Sequence, residues 1–238
     1  MVGAPAAADA VRRAKAMPEL RVGLHLVVIE GASTLPAADI PDLIDARGWF
    51  SSDQLRLGLR YFFLPHIRRQ LAREIRAQFS AFAATGLVLD HANAHKHMHL
   101  HPVVGRLMIR IGGEFGLPAI RIPAEPAAVL TACGQTAGLG DRALYLWTRL
   151  LRAQARRAGL RMNDHCFGIA WSGAMTTERL LRLAPHLPDG LSEIYFHPAA
   201  ARDATLDTLM PTYQHEAELA ALCDDRIAEL YGRGMRRG

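Results

Sequence analysis

Apolar residues recur along this chain in two alternating patterns, short runs and helical periods. Short apolar runs that end in glycine or polar residues predict buried β-strands at residues 20–31, 87–95, 117–125 and 192–200. Helical spacing predicts helices at residues 5–17, 52–85, 101–116, 142–159, 175–187 and 213–231. Pro65 is expected to break the long 52–85 helix, because proline removes a backbone donor and clashes with the preceding turn.

The alternation of strands and helices is typical of an α/β fold with parallel strands. In such folds the functional site collects at the carboxyl ends of the strands. No linker or internal repeat divides the sequence, so residues 1–238 are expected to form a single domain.

Composition adds a basic surface to this picture. The chain has 238 residues, half of them hydrophobic, and a net charge of +5 that comes mostly from arginine-rich helices. Solvated helix faces explain this charge, and no aromatic interleaving indicates a nucleic-acid partner; nucleic-acid binding with a steep salt dependence is the alternative. Three scattered cysteines and no 18-residue apolar run predict neither disulfides nor a membrane span, and fit the cytoplasm.

Histidine is concentrated in one stretch, LDHANAHKHMHLHP, where residues 91–101 hold five of the 11 histidines. An extended segment would turn all five side chains to one face, whereas a helix would pair only those four residues apart. Either geometry offers two imidazoles to a divalent metal. Two further histidines, His25 and His197, also lie in predicted strands, although each alone could be a buried structural residue. The convergence predicts a metal or catalytic site, and imidazole ligands without thiolates favour Lewis-acid hydrolysis.

Four segments, VGLHL, NAHKHMHLHP, GLPAIRIPAE and LSEIYFHPA, resemble the YdjC-like carbohydrate deacetylases, most closely the branch associated with hopanoid biosynthesis. The resemblance runs from the first residue to about residue 222. It implies a deformed (β/α) barrel of the TIM-like kind. It also implies a hydrolase that removes the acetyl group from an N-acetylated sugar, such as an N-acetylglucosaminyl hopanoid. In such enzymes a divalent metal ion, here Mg or Zn, activates the water that attacks the amide.

The same resemblance implies roles for particular residues. His25 and His95 would be metal ligands, and His197 a general acid for the leaving amine. The groups expected to face the substrate are Arg121, His97 and His99.

Two departures from the family pattern change the expectations. Asn93 and Ala94 stand where the family has an aspartate and a small residue, and amide oxygen carries no charge. The family's first strand, with an Asp-Asp-Phe-Gly motif that supplies a metal ligand and the general base, is not found in the sequence. A weaker metal site without a base to activate water is therefore expected, unless Asp90 or Asp164 substitutes. The alternative function is therefore a catalytically inactive remnant that binds metal or sugar.

The expected partners follow from these features. The substrate would be an N-acetylated sugar or a glycolipid, and the basic surface would allow peripheral contact with an anionic membrane. The sheet edge left by the absent strand would favour association, for example as a homodimer.

Overall fold

A computed structural model describes residues 1–135 and 139–232, without the side chains of residues 139–144 and 146. The helices are α1 Ala7–Lys15, α2 Gln54–Phe63, α3 Pro65–Ala84, α4 Pro102–Glu114, α5 Ala127–Ala132, α6 Leu139–Arg157, α7 Thr177–Leu183, α8 Ala204–Leu209, α9 His215–Leu222 and α10 Asp225–Gly232. The strands are β1 Leu24–Leu26, β2 Ala92–Ala94, β3 Ala119–Ile120, β4 Arg161–Met162, β5 His165–Phe167 and β6 Ser192–Ile194. Short 3₁₀ segments cover His95–Leu100 and Ala184–His186.

The first of two compact units comprises Met1–Arg121 and Trp147–Met162. Its strands form a four-stranded sheet in the order β1-β2-β3-β4, and every neighbouring pair is parallel. The strands are short, but the register is definite: Leu24 lies beside Ala92, and His25 beside Asn93. Leu24 and Leu26 point into the core, so His25 points to the opposite face together with Asn93.

The long helix α3 forms much of the core of this unit. Its apolar stripe is buried and consists of Ile67, Leu71, Ile75, Phe79 and Phe82. The stripe packs α3 against β1 and α4, as expected for an amphipathic helix covering a parallel sheet. Each fully buried large side chain contributes about 1.5–3 kcal/mol of transfer free energy.

The second unit comprises the remaining described residues, Ile122–Leu146 and those from Asn163 onward. It contains the parallel pair β5-β6, in which Cys166 lies beside Glu193. Its apolar cluster is built around Phe167, Trp171, Met175 and Leu183. Asn163 precedes β5 and bridges backbones with its amide, accepting from the Ile122 N–H at 2.7 Å and donating to the Ile122 carbonyl at 2.8 Å.

The parallel α/β character predicted from the sequence is confirmed. The predicted break at Pro65 is also confirmed, because Leu64 takes an extended conformation (φ −103°, ψ 106°) between α2 and α3. The closed barrel and the single domain stay predictions. No helix within the described ranges is long and apolar enough to cross a membrane.

Two sequence-based predictions of local structure are wrong. The closing helix predicted over 213–231 is two helices, because Asp224 interrupts it and its carboxylate accepts the Arg226 N–H at 3.0 Å. The sequence pattern also predicts no strand over residues 163–168, which contain strand β5. The periodicity of so short a strand was hidden by its polar neighbours.

Candidate functional site

The candidate site of the first unit begins with two polar side chains on adjacent strands. Because His25 and Asn93 are register partners in a parallel pair, their side chains project side by side from the same face of the sheet. The His25 Nδ1 lies 2.5 Å from the Asn93 Oδ1. An amide oxygen can only accept, so Nδ1 carries the proton and the lone pair of His25 is on Nε2.

The surroundings of His25 keep its ring neutral. Desolvation by the surrounding protein lowers the pKa of His25 to about 3, against the smaller raising effect of the Asn93 hydrogen bond. The positive charge of Arg121 acts in the same direction as the burial. A neutral imidazole with an oriented Nε2 lone pair is the form that binds a divalent metal.

His95 lies next to His25, directly after β2. The two ring centroids are 5.7 Å apart, with the planes at 71°. The His95 Nε2 is 3.9 Å from the Glu30 Oε2, and the same carboxylate oxygen forms an ion pair with the Lys96 ammonium group. The site therefore brings together two imidazoles, one carboxylate and one amine.

The backbone at this point takes an unusual conformation. Glu30, Lys96 and His97 are the non-glycine residues with positive φ in the described chain, at 44°, 48° and 53°. Such angles cost of order 1–3 kcal/mol per residue and persist where the surrounding structure holds them. Two of the three residues form the ion pair beside His95, so the strain is concentrated at the candidate site.

Buried polar groups of α3 hold the chain that carries Glu30. Gln78 accepts the Val27 N–H at 2.9 Å, and Glu74 accepts the N–H groups of Thr34 and Leu35 at 2.8 and 2.9 Å. Both side chains are buried, so the hydrogen bonds are made away from competing water. On the opposite side, the Glu30 N–H donates to the Ser51 carbonyl at 3.1 Å. Sequence reasoning missed this support because Glu74 and Gln78 resemble ordinary surface positions of a helix.

The histidine segment, defined here as His95–Leu100, is neither the extended run nor the α-helix considered from the sequence. It is a 3₁₀ segment interrupted by the left-handed residues Lys96 and His97. His99 is fully buried, and its Nε2 donates to the Arg121 carbonyl at 3.0 Å. Burial holds the pKa of His99 well below its usual range, so this ring is neutral. His99 thus ties the segment to the end of β3, and its contact with a substrate stays a prediction.

The other two predicted substrate-facing residues, His97 and Arg121, both lie next to His99. The His97 and His99 ring centroids are 6.1 Å apart. Arg121 follows β3, is half-buried, and donates its N–H to the Ala92 carbonyl at 3.1 Å. Its charge lowers the pKa of both His25 and His99, so its guanidinium acts electrostatically on the candidate site. The direct roles of His97 and Arg121 toward a substrate stay predictions.

His197, the predicted general acid, belongs to the second unit. Its backbone N–H donates to the Glu218 carboxylate, and its carbonyl oxygen lies 2.5 Å from the His215 Nδ1. The ring packs edge-on against Tyr195 and Tyr213, at centroid distances of 5.6 and 5.0 Å. Glu218 is fully buried and also accepts the Met175 N–H at 2.9 Å, so the backbone at His197 is firmly held.

The residues of the first unit suit a divalent cation in their chemistry. His25 is neutral, its tautomer is set by Asn93, and His95 lies beside it with a carboxylate within reach. In the described part of the chain, no three His, Cys, Asp or Glu side chains form a group that could hold a metal ion. The Glu30 carboxylate is instead turned toward Lys96. The chemistry of the two imidazoles is that of metal ligands, and a metal ion held by His25 and His95 stays a prediction.

Fold and site together define a parallel α/β protein that carries a histidine-based polar centre at its strand ends. Comparison with known proteins assigns the chain to a family. The model of the family described as YdjC-like protein matches residues 1–233, and the chain therefore belongs to that family.

Named relatives support the same placement. A protein of Geobacillus stearothermophilus called carbohydrate deacetylase is 28% identical over 99% of this chain and 81% of its own length. A carbohydrate deacetylase of Oceanobacillus iheyensis is 26% identical over 92% of this chain and 80% of its own length. One of Brevibacillus brevis is 35% identical, but the alignment covers 48% of this chain and only 42% of that protein.

A solved structure shares the fold. The crystal structure of a protein from Enterococcus faecalis V583, described as a candidate cellobiose-phosphate cleavage protein, superposes with a TM-score of 0.71. The superposition covers 98% of this chain and 81% of that chain at 19% identity. At this identity the likeness concerns the fold alone.

Proposed function

We propose that this chain is a metal-dependent hydrolase that removes the acetyl group from an N-acetylated sugar. The observation that carries the proposal is the His25–Asn93 register pair, with its oriented neutral imidazole 5.7 Å from His95. The relatives named carbohydrate deacetylases support the reaction class. His25 and His95 would hold a divalent cation, Mg or Zn, which when bound polarises an acetamide carbonyl and acidifies water.

The chain's own residues divide the remaining tasks. Amide hydrolysis requires a base that takes a proton from the attacking water and an acid that gives one to the leaving amine. Glu30 is the carboxylate beside His95, and we assign the base to it, rather than to Asp90 or Asp164. Asp90 instead lies 3.0 Å from the His91 Nδ1, and the Asp164 carboxylate accepts the Leu191 N–H at 2.9 Å. His197 keeps the proposed role of general acid.

Arg121 and the buried His99 would order the substrate side of the site. Arg121 would face the sugar with its guanidinium, while His99 holds the Arg121 carbonyl and so fixes the backbone from which that side chain extends. His97 is proposed as a further contact. In its most specific form, the proposal takes the sugar to be carried on a lipid, such as an N-acetylglucosaminyl hopanoid. This rests on the sequence resemblance.

One observation favours the second candidate, a non-catalytic metal- or sugar-binding protein. The Glu30 carboxylate is already engaged in an ion pair with the Lys96 ammonium group, rather than held ready for a water molecule. The two candidates differ in turnover, because either would bind metal or sugar but only the enzyme would release acetate.

The test measures acetate release from an N-acetylglucosamine conjugate and metal binding in the same preparations. The variants are His95→Ala, Glu30→Gln and, as a matched control, His66→Ala, which alters an exposed histidine of α3. We expect His95→Ala to lose metal binding and activity. Glu30→Gln should lower kcat by about 10²–10⁴-fold, and the control should behave as wild type. Metal bound through His95 without acetate release from the wild type would support the non-catalytic function.

A further inference from the structure

The outer face of α2 presents large apolar side chains to solvent. Leu55, Leu59, Phe62 and Phe63 are 76%, 51%, 47% and 65% exposed. Their spacing of four, three and one residues places them on one side of the helix. The opposite side, with Leu57 and Tyr61, is buried in the core, so α2 is apolar on two faces. A helix that only covered a core would carry polar residues outside.

Arginine is frequent in and after α2, and carboxylates are scarce there: Asp53, the N-cap of α2, is the single one between residues 46 and 73. From residue 54 to residue 73 the chain contains no aspartate or glutamate. The arginines of this stretch are Arg56, Arg60, Arg68, Arg69 and Arg73. Arg73 pairs with Asp39 at 2.9 Å. Arg56 and Arg69 are exposed, and neither forms an ion pair with a residue that the structure describes.

These two features together select the occupant. An apolar stripe of leucine and phenylalanine bordered by arginine is the composition of a helix that lies in the interface of an anionic bilayer. A twofold contact between copies would bring the arginines of α2 close to their own counterparts, with Asp53 as the single nearby carboxylate of the segment to compensate them. We propose that the outer face of α2 is a peripheral docking surface for an anionic lipid bilayer.

The surface adjoins the end of the five-histidine stretch. The Phe62 ring centroid lies 6.2 Å from that of His101, which also packs against the ring of Tyr61. Docking through α2 would therefore bring the bilayer to the first unit on the side where His101 emerges. The proposal goes beyond the deacetylase function and does not depend on it, since vesicle binding is measured without turnover.

The experiment is co-sedimentation of the full chain with vesicles of phosphatidylcholine containing phosphatidylglycerol, and with vesicles of phosphatidylcholine alone. The test variant is Leu55→Ser/Phe63→Ser, which alters two well-exposed side chains and should leave the fold intact. Val88→Ser is the matched control, because Val88 is 85% exposed in the same unit and belongs to the segment between α3 and β2. Circular dichroism and thermal unfolding verify the fold of each variant.

We expect the wild type and the Val88 variant to bind anionic vesicles, and the double variant to bind at least tenfold more weakly. Arg56→Gln should weaken binding about fivefold, because each cation near an anionic surface contributes on the order of 1 kcal/mol. Binding should be weak to phosphatidylcholine alone and should fall with salt. Equal binding by wild type and double variant would overturn the proposal. A lack of vesicle binding, with self-association that the double variant abolishes, would also overturn it and assign the face to a second copy.

Discussion

The contact between Asn93 and His25 gives the sharpest prediction of this structure. Asn93→Ala removes the acceptor that fixes the His25 tautomer, and Asn93 is buried, so water cannot easily replace the amide oxygen. An unsatisfied buried donor costs about 1–3 kcal/mol. The loss of a residue that orients a metal-binding imidazole lowers metal affinity by about 10–100-fold, or roughly 1.4–2.7 kcal/mol. The two ranges overlap, so we expect Asn93→Ala to lower the metal affinity by about 10–100-fold.

The assay is a competition titration of Zn²⁺ against a chromophoric chelator, with the Co²⁺ absorption spectrum as a second readout. Asn93→Asp is the matched variant, because it keeps an acceptor at the same position and adds a negative charge. We expect Asn93→Asp to bind as tightly as the wild type or more tightly, and Asn93→Ala to bind more weakly. An unchanged affinity in Asn93→Ala, with the fold intact, would refute the claim that this hydrogen bond prepares His25 for a metal.

Three further predictions concern stability. The native pKa of His99 is well below the unfolded value of about 6.5, so its contribution to stability is complete above that pH and is lost as pH falls. Urea unfolding at pH 7.5 and at pH 5 should show a smaller loss of unfolding free energy in His99→Gln than in the wild type. Equal losses of unfolding free energy in the two proteins would contradict this. A methyl group at Gly105 would lie 2.5 Å from the His99 carbonyl oxygen, whereas one at Gly113 of the same helix meets nothing within 4 Å. Gly105→Ala should therefore lower the unfolding free energy by more than about 1 kcal/mol, while Gly113→Ala should raise it by about 0.5–1 kcal/mol; the same sign for both would be inconsistent with this packing. Glu218→Gln should destabilise by about 1–3 kcal/mol, because an amide NH₂ cannot accept the His197 N–H, and chemical denaturation with an unchanged midpoint would rule this out.

Sequence reasoning reached the parallel α/β class because hydrophobic period and glycine stops are local signals. The stripe of α3 and the break at Pro65 were readable for the same reason. The break at Asp224 was not, because α9 and α10 both continue a helical spacing and only the cap of a single side chain separates them. The strand at His165–Phe167 depends on a partner 27 residues further along the chain, which no local pattern encodes.

The site was predictable in its residue types but not in its geometry. A run of histidines indicated a metal centre, yet whether His99 is a ligand, a substrate contact or a buried support depends on the left-handed turn at Lys96 and His97. That turn has no clear signature in the sequence: lysine does not favour positive φ, and the enrichment of histidine there does not distinguish His97 from the other histidines of the stretch. Asn93 looked like a loss of charge relative to the family pattern. In the structure it is the hydrogen-bond partner that sets the tautomer of His25.

The two strained residues that meet at the candidate site, Glu30 and Lys96, come from different loops, one after β1 and one after β2. The positive φ of each residue costs more free energy than an ordinary surface ion pair contributes, which is about 0–1 kcal/mol. Hydrogen bonds to Gln78, Glu74 and Ser51 nevertheless hold the backbone around Glu30 in this conformation. The Glu30–Lys96 ion pair is thus held in place despite the backbone strain on both residues, and its Glu30 Oε2 lies 3.9 Å from the His95 Nε2. We infer that this arrangement serves function rather than stability. In the proposed mechanism Glu30 would have to leave its ion pair with Lys96 before it could serve as the base, so Lys96→Met is the variant that separates the two contacts of this carboxylate.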